Sequence, residues 1–232
     1  MKRTAWAMLA MSLVFLLGTV IAVGSLVSMG GRLDTERLTA TPLSLPTLLV
    51  SCLDPLAMLL EVAALVLIVI DSKHIGSPHQ RLAWTAAICF TIWALLNMGG
   101  FLPLSFMGMR RGSLRMVKAG QMVKAGAALL QYAIPFLLVY GLSCKAALRV
   151  LLWAALILTV VGNFGVVVLP IRSIALEAID TAGQTLYAPQ FSIDYTQGLY
   201  PLLLGMGYTG GALYMIAYGL LTVRFFKEDK FQ

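Results

Sequence analysis

PTLLVSCLDPLAMLLEVAALVLIVI, residues 46–70, is the stretch that decides the fold. It is almost wholly apolar, and at about 1.5 Å of rise per residue a helix of this length covers the roughly 30 Å hydrocarbon core of a bilayer. Comparable apolar blocks recur along the chain. They fall at 5–29, 46–70, 83–106, 123–144, 147–170 and 199–223.

The composition of the whole chain agrees with these blocks. Of its 232 residues, 59% are hydrophobic and 12% are charged, whereas soluble domains carry about 25% charged residues. Only helices and closed barrels satisfy their backbone groups in lipid, and the continuous apolar runs lack the two-residue alternation of barrel strands. The sequence therefore predicts an all-α, polytopic transmembrane helix bundle of about six spanning helices, with residues 1–232 forming a single integral membrane domain.

The charge of the chain indicates its surroundings. Lys2 and Arg3 precede the first block as in a signal peptide, but that run is longer than a signal h-region, so we interpret it as a retained anchor in a bacterial plasma membrane. The net charge of +7 is typical of Lys and Arg that face anionic lipid rather than nucleic acid. The expected partners are the lipid bilayer and other membrane subunits or further copies of the chain, and no nucleic acid.

The distribution of basic residues does not decide the orientation. Six crossings place nine Lys and Arg on the side of Lys2 and eight on the other, which is no positive-inside bias. The most basic stretch, 110–124, is either an external loop, or the third block is re-entrant at Asn97-Met98-Gly99-Gly100 and Pro103. We retain six full spans. We place the duplicated pentapeptide MVKAG, at 116–120 and 122–126, in this loop.

The longest connection, 171–198, predicts an interfacial segment. It begins with apolar and charged residues that suit an amphipathic extension of the fifth helix. Tyr187, Phe191, Tyr195 and Tyr200 follow, as in an aromatic belt at the membrane–water interface. The alternative is an extramembrane lid over a site.

Two carboxylates stand inside the second block. Asp54 and Glu61 are seven residues apart, two helical turns, so a helix presents both on nearly one face about 10 Å apart. Acids in lipid usually face a bundle interior, a cavity or a counter-ion. This pattern indicates a proton or cation path, and the alternatives are pairing with a neighbouring Arg or Lys and, for Asp54-Pro55, a helix cap. We expect Pro55 to lie within a longer helix.

Amides beside glycine and proline recur in two blocks. Asn97 with Gly99-Gly100 and Pro103 is echoed by Gly162-Asn163, Gly165 and Pro170. This pattern is typical of close helix crossings, which we favour, or of interrupted helices at a transport site.

The sixth block carries four glycines in the seven residues 205–211, which indicate a packing groove or a local unwinding around a substrate. Gln131 and Tyr208 add polarity in the fourth and sixth blocks. The candidate residues of a substrate or ion path are thus Asp54, Glu61, Asn97, Gln131, Asn163 and Tyr208.

Cofactor and enzyme signatures are missing from the sequence. His74 and His79 are the only histidines, and we expect both in a surface connection. No P-loop, H-E-x-x-H or G-x-S-x-G motif occurs, so we expect no cofactor, no metal and no catalytic residue. We expect a small permease or the membrane component of a transporter. The alternative is a non-catalytic subunit of a larger respiratory, photosynthetic or other complex, and an intramembrane enzyme comes last.

Overall fold

Helices make up most of the computed structural model, which describes residues 2–28, 30–34, 45–143, 145–181 and 184–228. The helices are α1 (Lys2–Ser28), α2 (Leu45–Ile75), α3 (Ser77–Leu96), α4 (Leu102–Arg111), α5 (Leu114–Tyr140), α6 (Ala146–Val168) and α7 (Tyr200–Glu228). A π-helical turn (Asn97–Phe101) joins α3 to α4, and a 3₁₀ turn (Leu169–Ser173) follows α6. The short strands are β1 (Arg32–Asp34), β2 (Ala175–Thr181), β3 (Gln184–Gln190) and β4 (Ser192–Asp194).

Among the described residues, five helical segments are long and apolar enough to cross a membrane. They are Arg3–Val27, Pro55–Ile75, Ser77–Arg111, Leu114–Tyr140 and Ala146–Ser173. The predicted all-α membrane bundle is confirmed, and the protein is an integral membrane protein. Pro55 lies inside α2, which begins at Leu45, so the expectation of a helix longer than 55–70 is also confirmed.

The sixth predicted block, 199–223, forms the 29-residue helix α7. Its glycines and tyrosines make it less apolar than the other five segments. It packs along α6 and α1, and Tyr214 and Tyr218 are fully buried. A helix that buries its polar side chains against protein needs less apolar surface. α7 runs antiparallel to α6, since Gly162 adjoins Gly207 and Thr159 adjoins Gly210.

The two ends of the bundle differ. Thr4 donates to Asp71 at 2.9 Å, and Trp6 packs edge-on against Phe226, so α1 begins where α2 and α7 end. We call this the terminal end, which also holds the α5–α6 connection. The opposite end holds the α4–α5 turn and all four strands, and we call it the hairpin end.

The segment around Asn97 is not re-entrant. Helical structure continues from Ser77 to Arg111 without a reversal, and the π turn carries it past the glycine pair. The Leu102 N–H donates to the Asn97 carbonyl, five residues back, and the Asn97 side chain donates to the Trp93 carbonyl at 2.8 Å. A π turn widens the helix by one residue and so admits a local irregularity without ending it. The re-entrant interpretation of the third block is wrong.

The basic stretch 110–124 is also not a loop. Arg110 and Arg111 end α4, Gly112 takes the left-handed conformation with φ 64°, and α5 begins at Leu114. Gly is favoured at this position because it has no Cβ to clash. Both MVKAG copies therefore lie within α5, and their placement in a loop was wrong.

Strands replace the predicted helical extension of the fifth block, which forms α6. After the 3₁₀ turn, β2 pairs antiparallel with β3, from Ala175 opposite Gln190 to Thr181 opposite Gln184. Proline and the β-branched residues in 170–190 disfavour helix and favour strand, so the prediction of an amphipathic helix was wrong beyond Ser173.

A second antiparallel pair, β1 with β4, ties the end of α1 to the start of α7. Arg32 bridges to Asp194 at 2.9 Å. The hydroxyl and N–H of Thr196 and the Arg32 guanidinium hold the pKa of the Asp194 carboxyl below its usual value.

Candidate functional site in the membrane interior

A cavity of about 300 Å³ lies between α1, α2, α5, α6 and α7. Its polar lining comprises Thr19, Glu61, Gln131, Tyr132, Thr159, Asn163, Tyr208 and Tyr214. Apolar and small residues complete the wall, among them Phe15, Gly207 and Gly211. The volume is at the lower end of the range for small-molecule sites.

Glu61 is the acidic group of this cavity. It lies on α2, 16 residues after Leu45 and 14 before Ile75, or about 24 and 21 Å from the two helix ends. The Gln131 side chain of α5 is within its hydrogen-bonding reach. Among the described residues that line the cavity there is no Lys, Arg or His, so the predicted alternative of a basic partner for Glu61 has no support there.

Two hydroxyls of the lining lack a partner. The buried Thr159 and Tyr214 hydroxyl oxygens form no hydrogen bond with the described residues. Buried polar groups are nearly always satisfied, and one left unpaired costs about 1–3 kcal/mol. These hydroxyls therefore have bonds to offer to water or to a solute in the cavity.

Close packing of α6 against α7 brings the polar groups of the two helices together. A Cβ at Gly162 would overlap the Gly207 backbone, and one at Gly207 would overlap the Asn163 side chain. α7 stays helical throughout. The glycines thus serve as a packing groove, as small residues do at membrane helix crossings, and the local unwinding predicted as the alternative does not occur.

The α5 wall is shaped by Pro135. Because proline has no N–H, the Gln131 carbonyl lacks its usual partner four residues on, at the point where Gln131 lines the cavity. Tyr218 donates its hydroxyl to the Pro135 carbonyl at 2.7 Å. This bond fixes the proline turn of α5 to α7 directly beside the cavity.

The structure brings four of the predicted path residues to this cavity: Glu61, Gln131, Asn163 and Tyr208. It does not bring Asn97 there, since that side chain is bound to its own helix in the π turn. Asp54 belongs to α2, but its side chain lies outside the described residues. That it shares a proton or cation path with Glu61 therefore stays a prediction.

Sequence reasoning missed Thr159. Its position four residues before Asn163, one helical turn away, was a usable signal. Gly207, Gly211 and Tyr214 are likewise spaced at i, i+4 and i+7, which places them on one face of α7.

The histidines fall at the terminal end, away from the cavity. His74 is exposed, as expected, but His79 is buried with 2% of its surface accessible, so its placement at the surface was wrong. It packs beneath Gly141, where the α5–α6 connection covers it. Among the described residues, no three His, Cys, Asp or Glu side chains cluster as a metal site would require.

No protein-family model, curated protein or solved structure shows a significant match to this chain.

Proposed function

We propose that this protein is a small permease whose intramembrane cavity binds a cation, either a proton or a small protonated or metal cation, at Glu61. The observation that carries the proposal is a carboxyl group far from both helix ends, facing a cavity that several polar side chains line, without a basic neighbour among the described lining residues. A bacterial plasma membrane is the proposed setting, because bacterial outer membranes use barrels instead.

The charge of Glu61 selects the ligand class. An unpaired carboxylate in an apolar interior is strongly disfavoured, so the group takes up a proton or holds a cation. Both states suit alternating occupancy by a transported ion. An anionic solute would meet repulsion from Glu61 with no compensating basic group among the described lining residues.

The neutral groups supply coordination. Carboxyl, amide and hydroxyl oxygens converge from α2, α5, α6 and α7, and such oxygens replace the hydration shell of a hard cation. The unpartnered hydroxyls of Thr159 and Tyr214 add to this set.

The alternative, a non-catalytic subunit of a larger complex, would use the outer face of α3 and of the π turn that follows it. Leu95 and Met98 are 66% and 72% exposed there. Lipid alone also covers such apolar side chains, so this face does not favour a partner over the bilayer.

The test is cation flux into vesicles that contain the purified protein. A trapped pH-sensitive dye reports protons under a potassium diffusion potential, and parallel assays use Na⁺ and methylammonium. We expect Glu61→Gln to reduce flux at least tenfold with unchanged abundance and melting temperature. Asp71→Asn is the matched control, because it makes the same carboxyl-to-amide change on the same helix. Asp71 lies outside the cavity, and its carboxyl accepts hydrogen bonds from Thr4.

Either of two results would contradict the permease proposal. One is equal flux per folded molecule in Glu61→Gln and the parent protein. The other is the absence of flux for all three probes together with stoichiometric foreign subunits in mild detergent, which would favour the complex-subunit alternative.

A further inference from the structure

A second cavity lies between α6 and α7 at the terminal end of the bundle. It has a volume of about 750 Å³. Its wall comprises Lys145, Ala147, Leu148, Leu151, Leu220, Leu221, Val223, Arg224 and Lys227. None of these residues takes part in the proposed cation site.

The charges of this cavity are all of one sign. Lys145 stands at the N-cap of α6, and Arg224 and Lys227 stand near the end of α7; because the helices run antiparallel, the three cations meet at one end. No acid is among the described residues that line the cavity. Like charges held together repel, so an anion between them would be stabilised.

The neighbouring cation, Arg149, does not line the cavity. It donates to the Ser143 carbonyl at 2.9 Å and lies over the Tyr140 ring, 5.8 Å from its centroid. Arg149 thus belongs to the α5–α6 connection, and the cations that line the cavity are Lys145, Arg224 and Lys227.

The rest of the wall is apolar, and part of it faces outward. Leu148 and Leu151 lie one and two turns below Lys145 on α6, about 4.5 and 9 Å deeper along the helix axis. Leu220 and Val223 of α7 are 57% and 53% exposed. The cavity thus has cations at the membrane surface and an open leucine-lined groove that leads toward the hydrocarbon core.

We propose that this cavity binds an anionic phospholipid, with its headgroup phosphate between Lys145, Arg224 and Lys227 and an acyl chain along the leucines. Basic pockets between membrane helices bind such headgroups. The apolar groove distinguishes a lipid from a soluble anion, which would leave the exposed Leu220 and Val223 uncovered. The positive charge distinguishes an anionic lipid from a zwitterionic one, whose choline or ethanolamine group would be repelled.

The test is lipid binding to the intact protein. Protein in mild detergent is mixed with phosphatidylglycerol, cardiolipin or phosphatidylcholine, and native mass spectrometry counts the retained lipids. We expect retention of one phosphatidylglycerol or cardiolipin at concentrations at least tenfold below those needed for phosphatidylcholine. The same anionic lipids should raise the melting temperature.

Three variants locate the binding. Neutralising the cations (Lys145→Gln, Arg224→Gln and Lys227→Gln together) should abolish the preference, whereas exchanging them (Lys145→Arg, Arg224→Lys and Lys227→Arg) should preserve it. The control neutralises three exposed arginines of the hairpin end, Arg110, Arg111 and Arg115, and should leave the preference unchanged.

Several outcomes would overturn the lipid proposal. They are equal retention of phosphatidylcholine, loss of the preference in the charge-exchanged or control variant, and competition by inorganic phosphate at concentrations matching the lipid. If the neutralised variant does not fold, the exchanged variant and the lipid comparison on the parent protein still decide. An acidic protein that displaces the lipid would assign the surface to that protein instead.

Discussion

Three hydroxyl groups near the cavity show how burial and bonding separate a binding group from a structural one. Tyr214 and Tyr218 are both fully buried on α7, one turn apart. The Tyr218 hydroxyl donates to the Pro135 carbonyl, whereas the hydroxyls of Tyr214 and Thr159 have no partner among the described residues. Tyr218 therefore holds two helices together, and Tyr214 is available to a ligand.

Tyr214→Phe should leave the fold intact and impair transport. Removing an unpaired buried hydroxyl relieves a desolvation cost of about 1–3 kcal/mol, so the free energy of unfolding should stay equal or rise by about 1 kcal/mol. Cation flux should fall severalfold because a coordinating oxygen is lost. Unfolding in detergent, followed by circular dichroism, and vesicle flux measure the two effects.

Tyr218→Phe is the matched control with the opposite result. It removes the hydrogen bond that joins α7 to the Pro135 carbonyl of α5, so the free energy of unfolding should fall by about 0.5–1.5 kcal/mol. Destabilisation by Tyr214→Phe as large as that of Tyr218→Phe would show that Tyr214 has a structural partner, and would remove it from the binding site.

Some of the site residues could be predicted from the sequence, and others could not. Glu61, Gln131 and Asn163 stand out because polar side chains in apolar blocks are energetically unfavourable. Such residues can be recognised from the sequence alone. Asn97 meets the same criterion but satisfies itself on its own helix. A polar residue in an apolar block looks the same in the sequence whether it bonds to its own helix or faces a cavity. Only the packing of the helices distinguishes the two cases.

At the scale of elements, the duplicated pentapeptide in α5 shows that identical sequence does not mean identical surroundings. Six residues advance a helix by about 600°, so the two copies face different directions. Lys118 donates to the Arg172 carbonyl at 3.0 Å, whereas Lys124 lies over the Phe101 ring. The first copy thus contacts the 3₁₀ turn, and the second contacts the π turn.

The glycines that end the two copies give a matched pair for mutation. A Cβ at Gly120 would lie 3.2 Å from the Ser105 nitrogen and 3.3 Å from the Phe101 carbonyl oxygen, and one at Gly126 would meet nothing within 4 Å. Gly120→Ala should lower the free energy of unfolding by about 1–3 kcal/mol through overpacking of α4 on α5. Gly126→Ala should raise it by about 0.5–1 kcal/mol through helix propensity.

Denaturant unfolding of both variants in the same detergent measures the difference. Equal effects of the two substitutions would contradict the close approach of α4 to α5, because the local sequence MVKAG is the same at both positions.

The elements themselves were predictable to different degrees. Continuous apolar runs marked the helices because lipid enforces them. The first turns of α5 were missed because Arg115, Lys118 and Lys124 break the apolar run, although the helix already begins at Leu114. The β2–β3 pair was missed because its strands were read as one amphipathic helix and an aromatic belt, and strand pairing depends on a partner that periodicity alone does not name.

At the scale of the whole molecule, basic residues cover both ends of the bundle. Lys73, Arg81 and Lys227 are exposed at the terminal end, and Arg110 and Arg111 are exposed at the hairpin end. The orientation in the membrane therefore cannot follow from a charge excess. The number of crossings is a separate matter, since it depends on whether the less apolar α7 spans the bilayer.

The antiparallel packing of α7 on α6 predicts that α7 is a crossing and that Lys73 and Lys227 face the same side. Single cysteines at Lys73, Lys227 and Thr196, all exposed, in a background without Cys52, Cys89 and Cys144, would be labelled with a membrane-impermeant maleimide. Lys73→Cys and Lys227→Cys should react from one side, and Thr196→Cys from the other. If Lys227→Cys instead reacts together with Thr196→Cys, α7 does not cross; the cavity beside Glu61 would then lose its membrane-spanning wall, and the permease proposal with it.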